Sequence, residues 1–152
     1  MLPSPTPTAP TSPCSLDDDV TVSMPPLDEI ARCWAIIEPI LKRATDRGRG
    51  YEPIDILQLV MVGRMTLFVV RDRGLIVAVV VTEVHQFPRC RVLEVPFIAG
   101  VGMKRWWRPV LAALDAQAEA LGCVDLAGWD RKGWSQFGFK VVGVALVRRL
   151  KD

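Results

Sequence analysis

The run Arg91-Val92-Leu93-Glu94-Val95-Pro96-Phe97-Ile98 reads as a strand, Ala99-Gly100-Val101-Gly102 as a tight turn, and Met103 through Leu121-Gly122-Cys123 as a long helix with its stop. A glycine pair between strand and helix lets the backbone come close to a ligand. The helix N-terminus then offers unpaired N–H groups and the positive end of its dipole to an anion such as a pyrophosphate. The candidate anion cradle is therefore Gly100, Val101, Gly102, Met103 and Lys104. Trp107, Leu111, Leu114, Ala118 and Leu121 form the expected inward stripe of the helix. Pro109 complicates this: beyond the first turn a proline removes a backbone bond at a cost of about 3 kcal/mol. The helix is expected either to begin later than Gly102 or to kink.

Elements on both sides extend the pattern. Val20 to Met24 alternates as a short strand. A helix from Leu27 puts Ile30, Trp34, Ile37 and Leu41 on one face, with a break or kink expected at Pro39. Pro53 opens a second helix carrying Ile56, Leu57, Leu59 and Val60, which ends at Gly63. Met65–Arg71 and Leu75–Gln86 form a hairpin through Arg71-Asp72-Arg73-Gly74. Downstream lie a short strand, Val124–Ala127, a helix at Arg131–Phe137, and a closing strand, Lys140–Leu150, bulged at Gly143. Residues 18–152 are thus expected to form a single mixed α/β domain in the order β-α-α-β-β-β-α-β-α-β. Residues 1–17 are rich in Pro, Ser and Thr and form a separate extended arm, since each proline deletes a donor and disfavours helix before it.

Composition narrows the function classes. The chain has 152 residues, of which 50% are hydrophobic and 24% charged, enough for one packed domain. A net charge of +2 argues against a nucleic-acid binder working by bulk charge, while leaving room for a local basic patch. The four cysteines are far apart with no C-x-x-C pair, and His85 is the single histidine, so no metal site is expected. No apolar run reaches the roughly 18 residues of a membrane span. Met1–Pro5 lacks the basic and apolar regions of a signal peptide, so an unexported chain is expected.

Taken together, Gly100-Val101-Gly102, Ala116-x-Ala118, Leu121-Gly122-Cys123 and Gly138-Phe139 resemble the GNAT (Gcn5-related N-acetyltransferase) superfamily over about Val20 to Leu150. Gly128-Trp129-Asp130-Arg131-Lys132-Gly133-Trp134 is similar to a signature of GNAT-like proteins encoded among the head and tail genes of tailed bacteriophages. The resemblance implies a GNAT-like acyl-CoA N-acyltransferase fold and, for an active enzyme, acetyl-CoA. Two departures weaken that inference. The family's loop Arg or Gln falls at Phe97, and its motif Tyr falls at Trp134, whose indole N–H is no general acid. The only tyrosine, Tyr51, lies in an early loop.

Glu94 lies where the resemblance implies a general base. A carboxylate merely paired with a nearby arginine is the structural alternative. Strand alternation sets Val92, Glu94 and Pro96 opposite Leu93, Val95 and Phe97, and Glu83 and His85 share a face as a potential acid–base pair. Pro5, Pro7, Pro10, Arg105, Trp106, Trp129 and Arg131 are the candidate partner-binding residues, since Trp and Arg are favoured interface anchors. Two functions follow from the sequence. The first is a phage-type GNAT-like protein with an eroded acyl-CoA site and no cofactor, located in the virion or the host cytoplasm. It would contact other phage structural proteins or a second copy of itself. The second is an acetyl-CoA-dependent N-acetyltransferase acting on an amine.

Overall fold

The structure, a computed structural model, describes residues 19–48, 50–128, 138–140 and 148. Its elements are β1 (Val20–Ser23), α1 (Leu27–Arg47), α2 (Pro53–Met61), β2 (Thr66–Asp72), β3 (Leu75–Gln86), β4 (Arg91–Gly100), α3 (Met103–Ala120) and β5 (Asp125–Gly128). Among the described residues these strands make one sheet in the order β1-β2-β3-β4-β5, antiparallel except for the parallel β4–β5 pair. The arm's Pro5, Pro7 and Pro10, the expected helix at Arg131–Phe137, most of the closing strand, and Trp129 and Arg131 lie outside the described residues.

Local chemistry accounts for the connections. The β2–β3 hairpin turns on Arg73 and Gly74, both with positive φ (53° and 82°), the geometry of a two-residue hairpin turn that matches strand twist. Pro53 starts α2, where its missing N–H costs nothing, and Glu52 with Asp55 closes a capping box. α1 runs unbroken through Pro39. The break expected there is absent because Pro39 lies on the exposed face, as does Ala35, whose carbonyl loses its partner to solvent.

Helices cover both faces of the sheet. On one, Ile30, Ile37 and Leu41 of α1 and Ile56 of α2 pack on Leu67, Val69, Val79, Val81, Phe97 and Ala99. On the other, Trp106, Val110 and Leu114 of α3 pack on Phe68, Val70, Ala78, Val80 and Val95. Val77 to Val81 is a continuous apolar run because β3 is covered on both sides. The α3 stripe is Trp106, Val110, Leu114 and Ala118, so at its start it is one residue out of phase with the stripe expected from Trp107 and Leu111. Trp106 is 3% exposed, and its indole N–H donates to the Val101 carbonyl at 2.8 Å, satisfying its one donor inside the core. Trp107 is half-buried beneath the Arg108 guanidinium, 5.1 Å from the ring centre.

One irregularity governs the site. The β3–β4 register steps from Val81↔Phe97 to Glu83↔Glu94, so two steps on β3 match three on β4. The extra residue is a β-bulge beside Pro96, a residue with no N–H to give to a ladder. It reverses the alternation expected across β4. Val95 faces α3 whereas Phe97 and Ala99 face α1, and Glu94 emerges on the α1–α2 face beside its cross-strand partner Glu83.

Candidate functional site

Beyond the bulge, β3 carries Glu83 and His85 toward the sheet's end, and β4 brings Glu94 opposite Glu83. Two carboxylates facing each other across a ladder repel. A cation-capable ring relieves that here. His85 Nε2 makes a close ion-pair contact with Glu94 Oε2 and lies 3.8 Å from Glu83 Oε2. Arg64 Nη2 stands 3.8 Å from Glu83 on its outer side. Glu94's partner is therefore a histidine, not the arginine of the structural alternative. The Glu94 side chain is only 14% exposed, and burial pushes its pKa up; His85 pulls it back down and Glu83 adds to the rise. A cavity of about 530 Å³ adjoins the cluster, bordered by Arg64, Thr66, Glu83, His85, Gln86 and Leu121 among others.

The turn into α3 divides the two glycines by cause. A Cβ at Gly100 would lie 2.3 Å from the Ala78 Cβ, so its missing side chain is demanded by the neighbouring strand. Phe97 to Gly100 remains strand, with Phe97 in the core. Gly102 is different: it is the N-cap of α3 in the left-handed region (φ 73°), and a Cβ there would meet nothing within 4 Å. α3 begins at Met103 despite Pro109, so its first N–H groups do open at the glycine turn. Among the described residues, no hydrogen bond from the Met103 or Lys104 N–H is present. Its first turn has no acidic residue, and Lys104 is exposed.

Two residues named as partner contacts are engaged internally. Trp106 is core, as above, and Arg105 makes a two-pronged ion pair with Asp72 (2.5 and 2.8 Å). Asp72 is held below the usual carboxylate range by that hydrogen bond. Arg47 was invisible to pattern reading, since 51 residues separate it from its partner. At the end of α1, it donates to the Ile98 carbonyl of β4 at 2.9 Å. A cation thus reaches the strand one residue from Phe97, where the resemblance expects an Arg or Gln. Tyr51 likewise packs edge-on against Phe97, with ring centres 5.3 Å apart. Cys33, Cys90 and Cys123 are free thiols. Among the described residues no group of three metal-ligating side chains occurs, and no helix is long and apolar enough to cross a membrane.

No protein-family model matches the chain, and no curated protein matches it in sequence. Solved structures do. A ribosomal-protein-alanine N-acetyltransferase from Brucella melitensis superposes with a TM-score of 0.68 at 17% identity, covering 86% of this chain and 99% of that one. An aminoglycoside acetyltransferase from an uncultured soil metagenomic sample gives 0.66 at 12% identity over 90% and 100%. Glucosamine-6-phosphate N-acetyltransferase from Arabidopsis thaliana gives 0.59 at 10% over 87% and 99%. The mixed sheet with α1 and α2 on one face and α3 on the other is the GNAT acyltransferase fold.

Proposed function

We propose that the chain is an acetyl-CoA-dependent N-acetyltransferase acting on a primary amine. The observation that carries this reading is the position of the Glu94–His85 pair. It stands one residue before Val95, the last β4 residue in register with β5 among the described residues, and beside the cavity. Acetyl-CoA would lie along β4 past the bulge, with its pyrophosphate at the start of α3. The residues present fit that placement. Gly102 leaves open space, the Met103 and Lys104 N–H groups lack acceptors among the described residues, and Lys104 adds positive charge at a dipole end already favourable to anions.

When bound, the thioester supplies the acyl group: nitrogen bonds to the carbonyl carbon as the carbon–sulfur bond breaks, and the electron pair leaves on sulfur. The chain's own part is to hold the amine beside the Glu94–His85 pair and to remove a proton from it, since only the neutral amine is a nucleophile. The similar structures include, by their names, acetyltransferases of an aminoglycoside, of glucosamine-6-phosphate and of a ribosomal-protein alanine. That range supports amine acetylation without selecting an acceptor.

The other function inferred from sequence, a virion-associated assembly protein, loses Arg105 and Trp106 as free surface contacts. Calorimetric titration of the full chain with acetyl-CoA tests the enzymatic reading. Saturable binding that weakens on Lys104→Glu is expected. Absence of heat up to about 1 mM ligand, where the binding free energy would be only about −4.1 kcal/mol, would overturn it.

A further inference from the structure

Glu94 and His85 do not stand equally toward the cavity. Glu94 is 14% exposed in its side chain and does not border the cavity, whereas His85 is 41% exposed and does. The carboxylate therefore lies behind the imidazole. Their contact is made through His85 Nε2, so the tautomer that suits a carboxylate there carries its proton on Nε2, facing Glu94. In the neutral ring the other nitrogen, Nδ1, then carries the lone pair. Among the described residues nothing hydrogen-bonds to Nδ1.

We propose that His85 Nδ1 is the atom that takes the proton from the acceptor amine, and that Glu94 is a positioning residue holding the imidazole in its Nε2–H form. This rests on the acetyltransferase reading and specifies who does the chemistry within it. The ammonium of the acceptor gives one proton to Nδ1, the nitrogen keeps the electron pair, and the ring becomes imidazolium. That cation sits against Glu94 and 3.8 Å from Glu83, so two carboxylates stabilise the charge as it forms. Arg64, from the segment after α2, faces Glu83 on its far side, and Arg91 of β4 is engaged with Gln86 at 2.6 Å. Neither cation contacts the ring. The proton then leaves to water through the cavity.

A single histidine makes this directly measurable. The first arm uses no substrate: diethyl pyrocarbonate acylates an imidazole nitrogen bearing a lone pair and is followed by its absorbance change. The full chain should react at one histidine, and His85→Gln should abolish the signal. A folded wild-type chain whose histidine does not react would overturn the proposal. The second arm measures acetyl transfer from acetyl-CoA to glucosamine-6-phosphate, an aminoglycoside and a peptide with N-terminal alanine, using whichever is acetylated. His85→Ala should lower kcat about 10²–10⁴-fold with KM for acetyl-CoA unchanged, and added imidazole should restore part of it through the vacated space. A variant within threefold of wild type overturns the assignment, as does a loss that imidazole cannot repair, because a structural defect gives that result. Calorimetry on the wild type separates the two readings. Without acetyl-CoA binding the acetyltransferase reading fails and this one falls with it. With binding intact, the His85 assignment fails or stands alone.

Discussion

Replacing Gly100 with alanine is expected to destabilise the sheet before it affects any ligand. The new Cβ would lie 2.3 Å from the Ala78 Cβ, 2.5 Å from the Val77 carbonyl oxygen and 2.6 Å from the Ala78 Cα. Two of those atoms are backbone of β3, a strand paired on both sides, so relief requires β4 to move away from it. Overpacking costs about 1–3 kcal/mol, and backbone obstruction places this case at the upper end. The stiffer unfolded chain returns about 0.4–1 kcal/mol, leaving a net loss of about 2 kcal/mol. For a chain of 152 residues that corresponds to a fall in Tm of roughly 4–8 °C. Thermal and urea unfolding followed by circular dichroism would measure it. Ala78→Gly removes the nearest obstructing atom, so the double variant should recover part of the loss, with a coupling of about 0.5–3 kcal/mol. A Gly100→Ala midpoint within about 1 °C of wild type, or strictly additive effects with Ala78→Gly, would refute the reasoning and return Gly100 to a ligand-approach role.

Other perturbations test the remaining features. Burial raises the Glu94 pKa in the folded chain, so its stabilising contribution is complete below the ordinary carboxylate range and is lost as pH rises through the raised value. Glu94→Gln should therefore melt higher than wild type at pH 8 and no higher at about pH 4, near the ordinary Glu value; an unchanged or lower midpoint at pH 8 contradicts this. Asp72 runs the other way. Its pKa is lowered by the Arg105 hydrogen bond, so its contribution is present above the ordinary range and lost as pH falls through the lowered value. Asp72→Asn should cost stability at neutral pH, with the deficit closing in strong acid, as read from melts across pH. Leu41, fully buried between α1 and the sheet, should lose about 2–5 kcal/mol as Leu41→Ala, measured by urea unfolding.

Much of the architecture was legible in the sequence because it is set over short distances. Apolar spacing marked α1, α2 and α3, and turn chemistry marked the Arg73-Gly74 hairpin. The prolines do not end their helices: Pro39 and Pro109 both sit inside continuous elements, and α3 starts directly after Gly102. A missing N–H is costly only where its orphaned carbonyl is denied water, and periodicity does not report which face that is. The candidate site was legible as residue types, Glu83, His85 and Glu94, but not as an arrangement.

Strand and helix content, the expectation of a mixed α/β domain, and the glycine turn before the long helix follow from the chain's local preferences, which a linear pattern carries. The tertiary structure alone decided which face each side chain takes. One inserted residue beside Pro96 reverses the alternation of β4 and brings Glu94 round to His85. A one-residue difference in the phase of α3 buries Trp106 in place of Trp107. Arg47 finds Ile98 and Arg105 finds Asp72 across separations of 51 and 33 residues. Those outcomes depend on competition among buried surfaces and unpaired polar groups once the chain is compact, and no single segment contains both parties to that competition.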